Sequence, residues 1–212
     1  MIFVVEEDGR LLPSANGLSP EQARALRLDR HVVVTAGAGS GKTRTLSRRY
    51  LRILGSFAWE ASNAAVTAQR SDAPGPEAIV VSTFTERAAA EMKERIRAEL
   101  LEGLRELRGR EGELSEALSP ARFEAYRRHL ERCLRDFHRA RIGTFHGFCG
   151  GLLREFSAAD GLDPGHGVLT GGEARELQGA VAQAAIASLD AGRDDLEPLV
   201  VHLGRWSTAR AL

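Results

Sequence analysis

Ala36-Gly37-Ala38-Gly39-Ser40-Gly41-Lys42-Thr43, entered from the apolar run His31-Val32-Val33-Val34-Thr35, decides how this sequence folds. An apolar run, a chain of small residues and then an amphipathic segment predict a buried strand over 31–35, a tight loop and a helix. Glycines let successive backbone N–H groups converge on phosphate oxygens, and the helix that follows turns its positive end to the same point. Lys42 adds a point charge for the outer phosphates, and the Thr43 hydroxyl suits one coordination position of Mg²⁺. Ala36 stands where the strict pattern G-x-x-x-x-G-K-[ST] has glycine, and its methyl group is small enough for the same turn. The candidate ligand of residues 36–43 is a nucleoside triphosphate with Mg²⁺.

Outward from the loop, the pattern alternates between strands and helices. Upstream, Ser19 is placed to cap a short helix with Pro20 at its first position and Gln22 three residues after the cap. Downstream, Leu46, Tyr50, Ile53 and Leu54 recur at helical spacing and predict a helix over 42–54, followed by a small, polar surface insertion over 56–76. Residues 78–84 read as a second buried strand. Thr85 then caps a long helix with Met92, Ile96, Leu100, Leu104 and Leu107 on one stripe, Glu91 and Arg95 as an outward pair, and Gly109 and Gly112 as breakers. A helix from Ser119-Pro120 to about 137, a short strand at 141–144 and a helix with Phe145, Phe148, Cys149, Leu152 and Phe156 on one face follow. From 169 onward the pattern is helical, with Ala180, Ala184, Ile186 and Leu189 inward. Strands separated by helices predict an α/β fold with a parallel sheet covered on both faces.

Composition narrows the function classes. The chain has 212 residues, 43% of them hydrophobic, with 29 Lys plus Arg against 29 Asp plus Glu. A net charge of zero gives no global basic field, so any polyanion site is local. Two arginine clusters qualify: Arg44, Arg48, Arg49 and Arg52, and Arg127, Arg128, Arg132, Arg135, Arg139 and Arg141. Each also reads as a solvated helix face. Cys133 and Cys149 are too few for a disulfide scaffold or a four-cysteine zinc site and fit a reducing compartment. No apolar stretch reaches membrane-span length, and acidic residues follow the first apolar run, so the cytoplasm is the expected location with no membrane partner.

Four stretches, in order, carry a family likeness. Leu18-Ser19-Pro20-Glu21-Gln22-Ala23-Arg24-Ala25-Leu26, the phosphate loop, Ser82-Thr83-Phe84-Thr85-Glu86-Arg87-Ala88-Ala89-Ala90-Glu91-Met92-Lys93-Glu94-Arg95-Ile96, and Ile142-Gly143-Thr144-Phe145-His146-Gly147-Phe148-Cys149 line up along the chain. Together they resemble the amino-terminal part of the UvrD/RecB group of superfamily 1 helicases, and more narrowly AddA-type double-strand-break repair subunits. The resemblance implies a P-loop NTPase, RecA-like parallel sheet flanked by helices, with a helical insertion or subdomain in the C-terminal part. It implies an ATP-binding domain over 1–158, incomplete and with a helical segment at about 100–138, and the start of a helical accessory subdomain over 159–212.

The resemblance also assigns roles. It makes Gln22 the reader of adenine, for which an amide that donates and accepts is chemically suited, while the same spacing suits a capping box. It makes Ala36 the family's usual loop residue and sets Arg44 near the nucleotide. Thr83, Phe84, Thr85, Arg87, Thr144 and His146 fall at single-stranded DNA contacts, where a ring stacks on bases and a hydroxyl or cation meets phosphate. Phe84 is equally suited to core packing, and His146 to a structural role. Glu86 stands where Asn is common, and a carboxylate beside a phosphate is repulsive. The implied cofactors are ATP and Mg²⁺; the implied partners are single-stranded DNA and an AddB-like nuclease/helicase subunit.

Phosphoryl transfer further needs an acidic partner for Mg²⁺ and water, and an arginine finger. No strand ending in Asp-Glu follows Gly147, and Pro198-Leu199-Val200-Val201-His202 carries His where a carboxylate is required. The resemblance implies that these groups lie in a longer polypeptide beyond Leu212, so this chain is expected to bind Mg-ATP weakly without efficient hydrolysis or unwinding. A self-contained nucleotide or small-molecule kinase on the same loop, and a non-catalytic DNA-binding or assembly module, are the alternatives.

Overall fold

A computed structural model describes residues 1–37, 39–66, 73–157, 159, 161, 163, 165–169 and 171–187. Two compact units divide the chain, Met1–Leu153 and Arg154–Leu212. The first opens with an antiparallel hairpin, β1 Phe3–Val5 and β2 Leu11–Pro13, then α1 Pro20–Arg24 and the long α2 Lys42–Val66. It continues through β3 Val80–Thr83, α3 Glu86–Gly109, α4 Glu111–Leu118, α5 Pro120–Arg135, β4 Arg141–Thr144 and α6 Phe145–Phe156, whose last turn passes into the second unit. The second unit contains α7 Gly171–Ala187.

The core lies where α2, α3 and α5 pack together. Leu54 and Ala58 of α2 meet a stripe on α3 formed by Met92, Ile96, Leu100, Leu104 and Leu107, all buried as their spacing predicts. Phe123, Tyr126, Leu130 and Cys133 of α5 close the cluster. Edge-to-face pairs, Tyr50 with Phe137 and Phe3 with Tyr126, add directional contacts at ring distances of 6.2 and 6.1 Å. The hairpin is bolted to α3: Glu106 accepts the backbone N–H groups of Ile2 and Phe3, and Arg110 donates to the Phe3 carbonyl. Gly103 permits this approach, because a Cβ there would lie 2.5 Å from the Phe3 ring.

Several expectations give way. Residues 31–35 form no ladder; Val33 is 92% and Val34 54% exposed, so the expected buried strand is an extended, uncovered segment. A strand holds its place only by pairing or burial, and among the described residues this run has neither. Among the described residues the parallel sheet is accordingly one pair, β3 with β4, rather than one covered on both faces. β3 itself is shorter than 78–84, and its residues alternate in exposure instead of being buried throughout.

The helix at 42–54 runs on to Val66, because Ala58, Ala61 and Ser62 continue its buried face through a stretch that composition assigns to an insertion. The remainder of that insertion at 67–72 lies outside the described residues. Leu46 is exposed, whereas Thr45, Ser47 and Arg48 turn inward, a rotation of the buried face that the apolar residues alone do not reveal. Gly109 ends α3 as expected, but Gly112 sits inside α4. Glu91 pairs with Arg87 at 2.9 Å and Arg95 with Glu99 at 3.9 Å, so the Glu91–Arg95 pair does not form. In α6, Phe148, Cys149 and Leu152 are half-buried, but Phe145 and Phe156 are exposed. Ala180 and Ala184 of α7 are exposed rather than inward. The side chain of Ile186, together with Leu189 and residues 198–202, lies outside the described residues.

Candidate nucleotide loop and nucleic-acid interface

Two left-handed glycines shape the loop: Gly39 at φ 76° and Gly41 at φ 79°, where a Cβ would be strained. Ser40 Oγ donates to the Gly37 carbonyl at 2.8 Å. The Lys42 ammonium donates to the carbonyls of Ala36, at 3.0 Å, and Gly37, which holds it over the loop at the first residue of α2. Thr43 is exposed on the first turn beside it. Ala38 lies outside the described residues. Residues 39–43 therefore bring glycine backbone, an ammonium and an exposed threonine together in five consecutive positions, a donor set that fits a polyphosphate and offers one Mg²⁺ ligand. Among the described residues no group of three or more His, Cys, Asp or Glu side chains is placed to hold a metal by itself.

Gln22 touches this loop. Its Oε1 accepts the Ser19 N–H at 2.9 Å and Ser19 Oγ accepts the Gln22 N–H at 3.3 Å, completing a capping box. Its Nε2 donates to the Ser40 carbonyl at 2.8 Å. One amide thus joins the cap of α1 to the phosphate loop, and Gly41 needs to lack a Cβ, which would stand 2.8 Å from that nitrogen.

Arg44 lies against Gly17, where a Cβ would be 2.6 Å from its Nη2, and the φ of 77° at Gly17 also favours glycine. Below them Arg48 and Glu99, 3.5 Å apart and largely buried, tie α2 to α3. Burial raises the Glu99 carboxyl above its usual range, opposed by the positive charges of Arg48, Arg95 and Arg44. An apolar recess of about 310 Å³ opens beside Lys42, lined by Ala25, Val32, Val34, Leu46 and Arg49. This is at the small end of ligand pockets, which run from roughly 300 to 1,000 Å³.

The second group of residues gathers at the carboxyl ends of β3 and β4. The parallel register runs from Val80↔Arg141 to Thr83↔Thr144, so the residues after each strand emerge side by side. Phe84 is fully exposed, which excludes core packing, and Phe145 is 63% exposed with its ring edge-on to His146 at 6.3 Å. Arg87 is exposed and paired to Glu91 at 2.9 Å. Three threonine hydroxyls are engaged inside the protein: Thr83 donates to the Thr85 carbonyl, Thr85 Oγ1 accepts the Ala88 N–H, and Thr144 donates to Glu86. Thr85 keeps its proton for another partner, whereas Thr83 and Thr144 have committed theirs. The sequence pattern does not announce Gly17 as a member of these groups, and it marks Glu86 only as a charge unsuited to phosphate and Phe145 only as part of its motif.

With this geometry in place, comparison with known proteins gives one family. A family model described as the UvrD/REP helicase N-terminal domain matches residues 18–193. Among curated proteins, an ATP-dependent helicase/nuclease subunit of the AddA type from Moorella thermoacetica is 32% identical over 182 residues, 85% of this chain and 11% of that protein. Its namesake in Desulforudis audaxviator is 35% identical over 156 residues, 72% of this chain and 10% of that protein. The namesake in Bacillus velezensis is 36% identical over 136 residues, covering 64% and 9%. The chain therefore spans about a tenth of the length of these relatives. No helix among the described residues is long and apolar enough to cross a membrane.

Proposed function

We propose that this chain, which belongs to the UvrD/REP helicase N-terminal domain family, supplies the phosphate-loop half of an ATP site and part of a single-stranded DNA surface in a helicase of double-strand-break repair. Family membership implies a P-loop NTPase fold; the finer organisation we infer is an ATP-binding domain over 1–158 and a helical accessory subdomain beginning at 159. The parallel register of β3 and β4 carries the reading, since it brings two stretches 61 residues apart in sequence to one edge with Phe84, Phe145 and His146 exposed.

In this reading Lys42 exchanges the carbonyls of Ala36 and Gly37 for outer phosphate oxygens, and residues 36–41 offer backbone N–H groups to the same phosphates. Thr43 contributes one ligand to Mg²⁺, and Arg44 lies close to the nucleotide. Gln22 releases Ser19 or Ser40 to pair with adenine through an amide that can donate and accept at once. When bound, Mg-ATP supplies the phosphoanhydride whose cleavage drives movement along a strand. Phe84, with His146, stacks on bases, while Thr85 and Arg87 meet phosphates without reading sequence. Thr83 and Thr144, whose protons go to the Thr85 carbonyl and Glu86, serve this surface by holding its loops rather than by donating to phosphate.

Phosphoryl transfer also needs an acidic Mg²⁺ and water partner, and no Asp-Glu strand end follows Gly147 in the sequence, so we infer that the 212-residue chain binds nucleotide with little turnover and no unwinding. The relatives are named as one subunit of a helicase/nuclease, which supports assembly with a second, AddB-like subunit, and a cytoplasmic location suits a DNA-repair motor. The test is nucleotide binding with and without an oligo-dT strand: mutual enhancement is expected. Stoichiometric phosphorylation of a small acceptor, with indifference to DNA, would instead establish a kinase.

A further inference from the structure

The carboxylate of Glu86 is the least expected group on the strand-end surface. An exposed negative charge one residue from Thr85 and two from Phe84 would repel the phosphates of any strand laid there. The structure gives it another task. Thr144 Oγ1 donates to Glu86 Oε1 at 2.7 Å, a side-chain bond between residues 58 apart in sequence. The same Thr144 oxygen accepts the Gly147 N–H at 3.1 Å and so caps the first turn of α6. Glu86 lies in the first turn of α3, where a negative charge is favoured by the helix dipole. A Cβ at Gly147 would lie 3.2 Å from Thr144 Oγ1 and 3.8 Å from Glu86 Oε1, so the three residues close on one another.

We propose that Glu86 is a positioning residue which, through Thr144 and Gly147, locks the Phe84 loop to the Phe145-His146 turn so that the exposed rings stay in fixed relation for one strand. The proposal rests on the single-stranded DNA reading above. A hydroxyl that donates to a carboxylate is a better acceptor for the next N–H in line, so the Glu86, Thr144 and Gly147 bonds reinforce each other. The repulsion of a phosphate by Glu86 is the cost of this arrangement, and the two effects have opposite signs on DNA affinity.

That opposition makes the test sharp. Oligo-dT binding by fluorescence anisotropy is measured for the whole chain and for Glu86→Gln, Glu86→Ala, Thr144→Val and the Glu86→Ala/Thr144→Val double variant. Gln retains an acceptor oxygen for Thr144 while removing the charge, so it binds as tightly as wild type or tighter. Ala removes both the charge and the acceptor and binds roughly three- to tenfold more weakly than Gln, the worth of one net hydrogen bond. Thr144→Val loses the same bond, and the double variant is no weaker than the worse single. If Ala instead tightens binding as much as Gln, Glu86 is only a repulsive charge and the proposal fails. If the two single losses add, Thr144 acts on DNA directly and the proposal again fails. Hydrogen exchange at the Gly147 amide reads the lock without DNA: it speeds up in Glu86→Ala and not in Glu86→Gln. Failure of wild type to bind oligo-dT overturns the DNA reading, while unchanged Gly147 exchange in Glu86→Ala overturns the lock itself.

Discussion

The phosphate loop and the strand-end surface are built from short motifs of similar length, yet they are supported in different ways. Residues 31–37 and 39–41 pair in no strand ladder and are largely exposed, and the loop's bonds run within itself, to Gln22 and to the first turn of α2. The strand-end residues stand on a paired β3 and β4 and are joined across by Glu86 and Thr144. A loop whose shape comes from two positive-φ glycines and a lysine is set by local chemistry. A surface assembled from segments 61 residues apart depends on long-range pairing. Both nevertheless spring from helices of one core, since α2 leads from the loop and α3 from the surface.

That common support predicts the largest effect, a joint loss of both sites in acid. Burial pushes the His129 imidazole down from its usual 6.5 to about 4, helped by the nearby Arg132. Between these values the unfolded chain binds the proton and the folded one does not, so stability is full above pH 6.5 and falls as the pH is lowered toward 4. The loss reaches up to about 3 kcal/mol. Thermal midpoints measured across this range should drop, and His129→Gln should flatten the drop. A flat wild-type profile would detach His129 from the core.

Lys42→Ala separates the two regions most strongly. It should weaken binding of a Mg-ATP analogue by roughly ten- to a hundredfold, as expected from charge-assisted hydrogen bonds to phosphate, and leave oligo-dT binding unchanged. Phe84→Ala is the reverse experiment. One lost base stack should weaken oligo-dT binding about tenfold, with nucleotide binding and melting temperature intact because the ring is exposed. Parallel loss of both ligands in either variant would erase the contrast between the regions. The smallest effect belongs to Arg87→Ala: a loss of about 0.7 in the slope of log affinity against log salt, the contribution of one phosphate contact to a single strand. An unchanged slope would remove Arg87 from the interface.

Much of this was written in local sequence. Thr85 and Ser19 mark their helix starts, the stripe from Met92 to Leu107 marks the inner face of α3, and Gly39, Gly41 and Lys42 mark the loop. What local pattern does not carry is partnership at a distance. Val32-Val33-Val34 is as apolar as any buried strand, but a strand needs a pairing partner, and among the described residues it has none. The N-terminal hairpin has little local signature, because its strands are three residues each and are stabilised by Glu106 and Arg110, distant in sequence. Glu86 was legible only as a misplaced charge. Its use depends on Thr144, which the parallel register brings alongside.

The central claim is that one chain carries a phosphate loop and a separate single-strand surface on a shared helical core. It is tested most directly by titrating a non-hydrolysable Mg-ATP analogue and labelled oligo-dT into wild type, Lys42→Ala and Phe84→Ala. The account predicts that wild type binds both, Lys42→Ala loses only the nucleotide, and Phe84→Ala loses only the DNA. Wild type that binds neither at saturating concentration, or variants that lose both together while still folded, would contradict it.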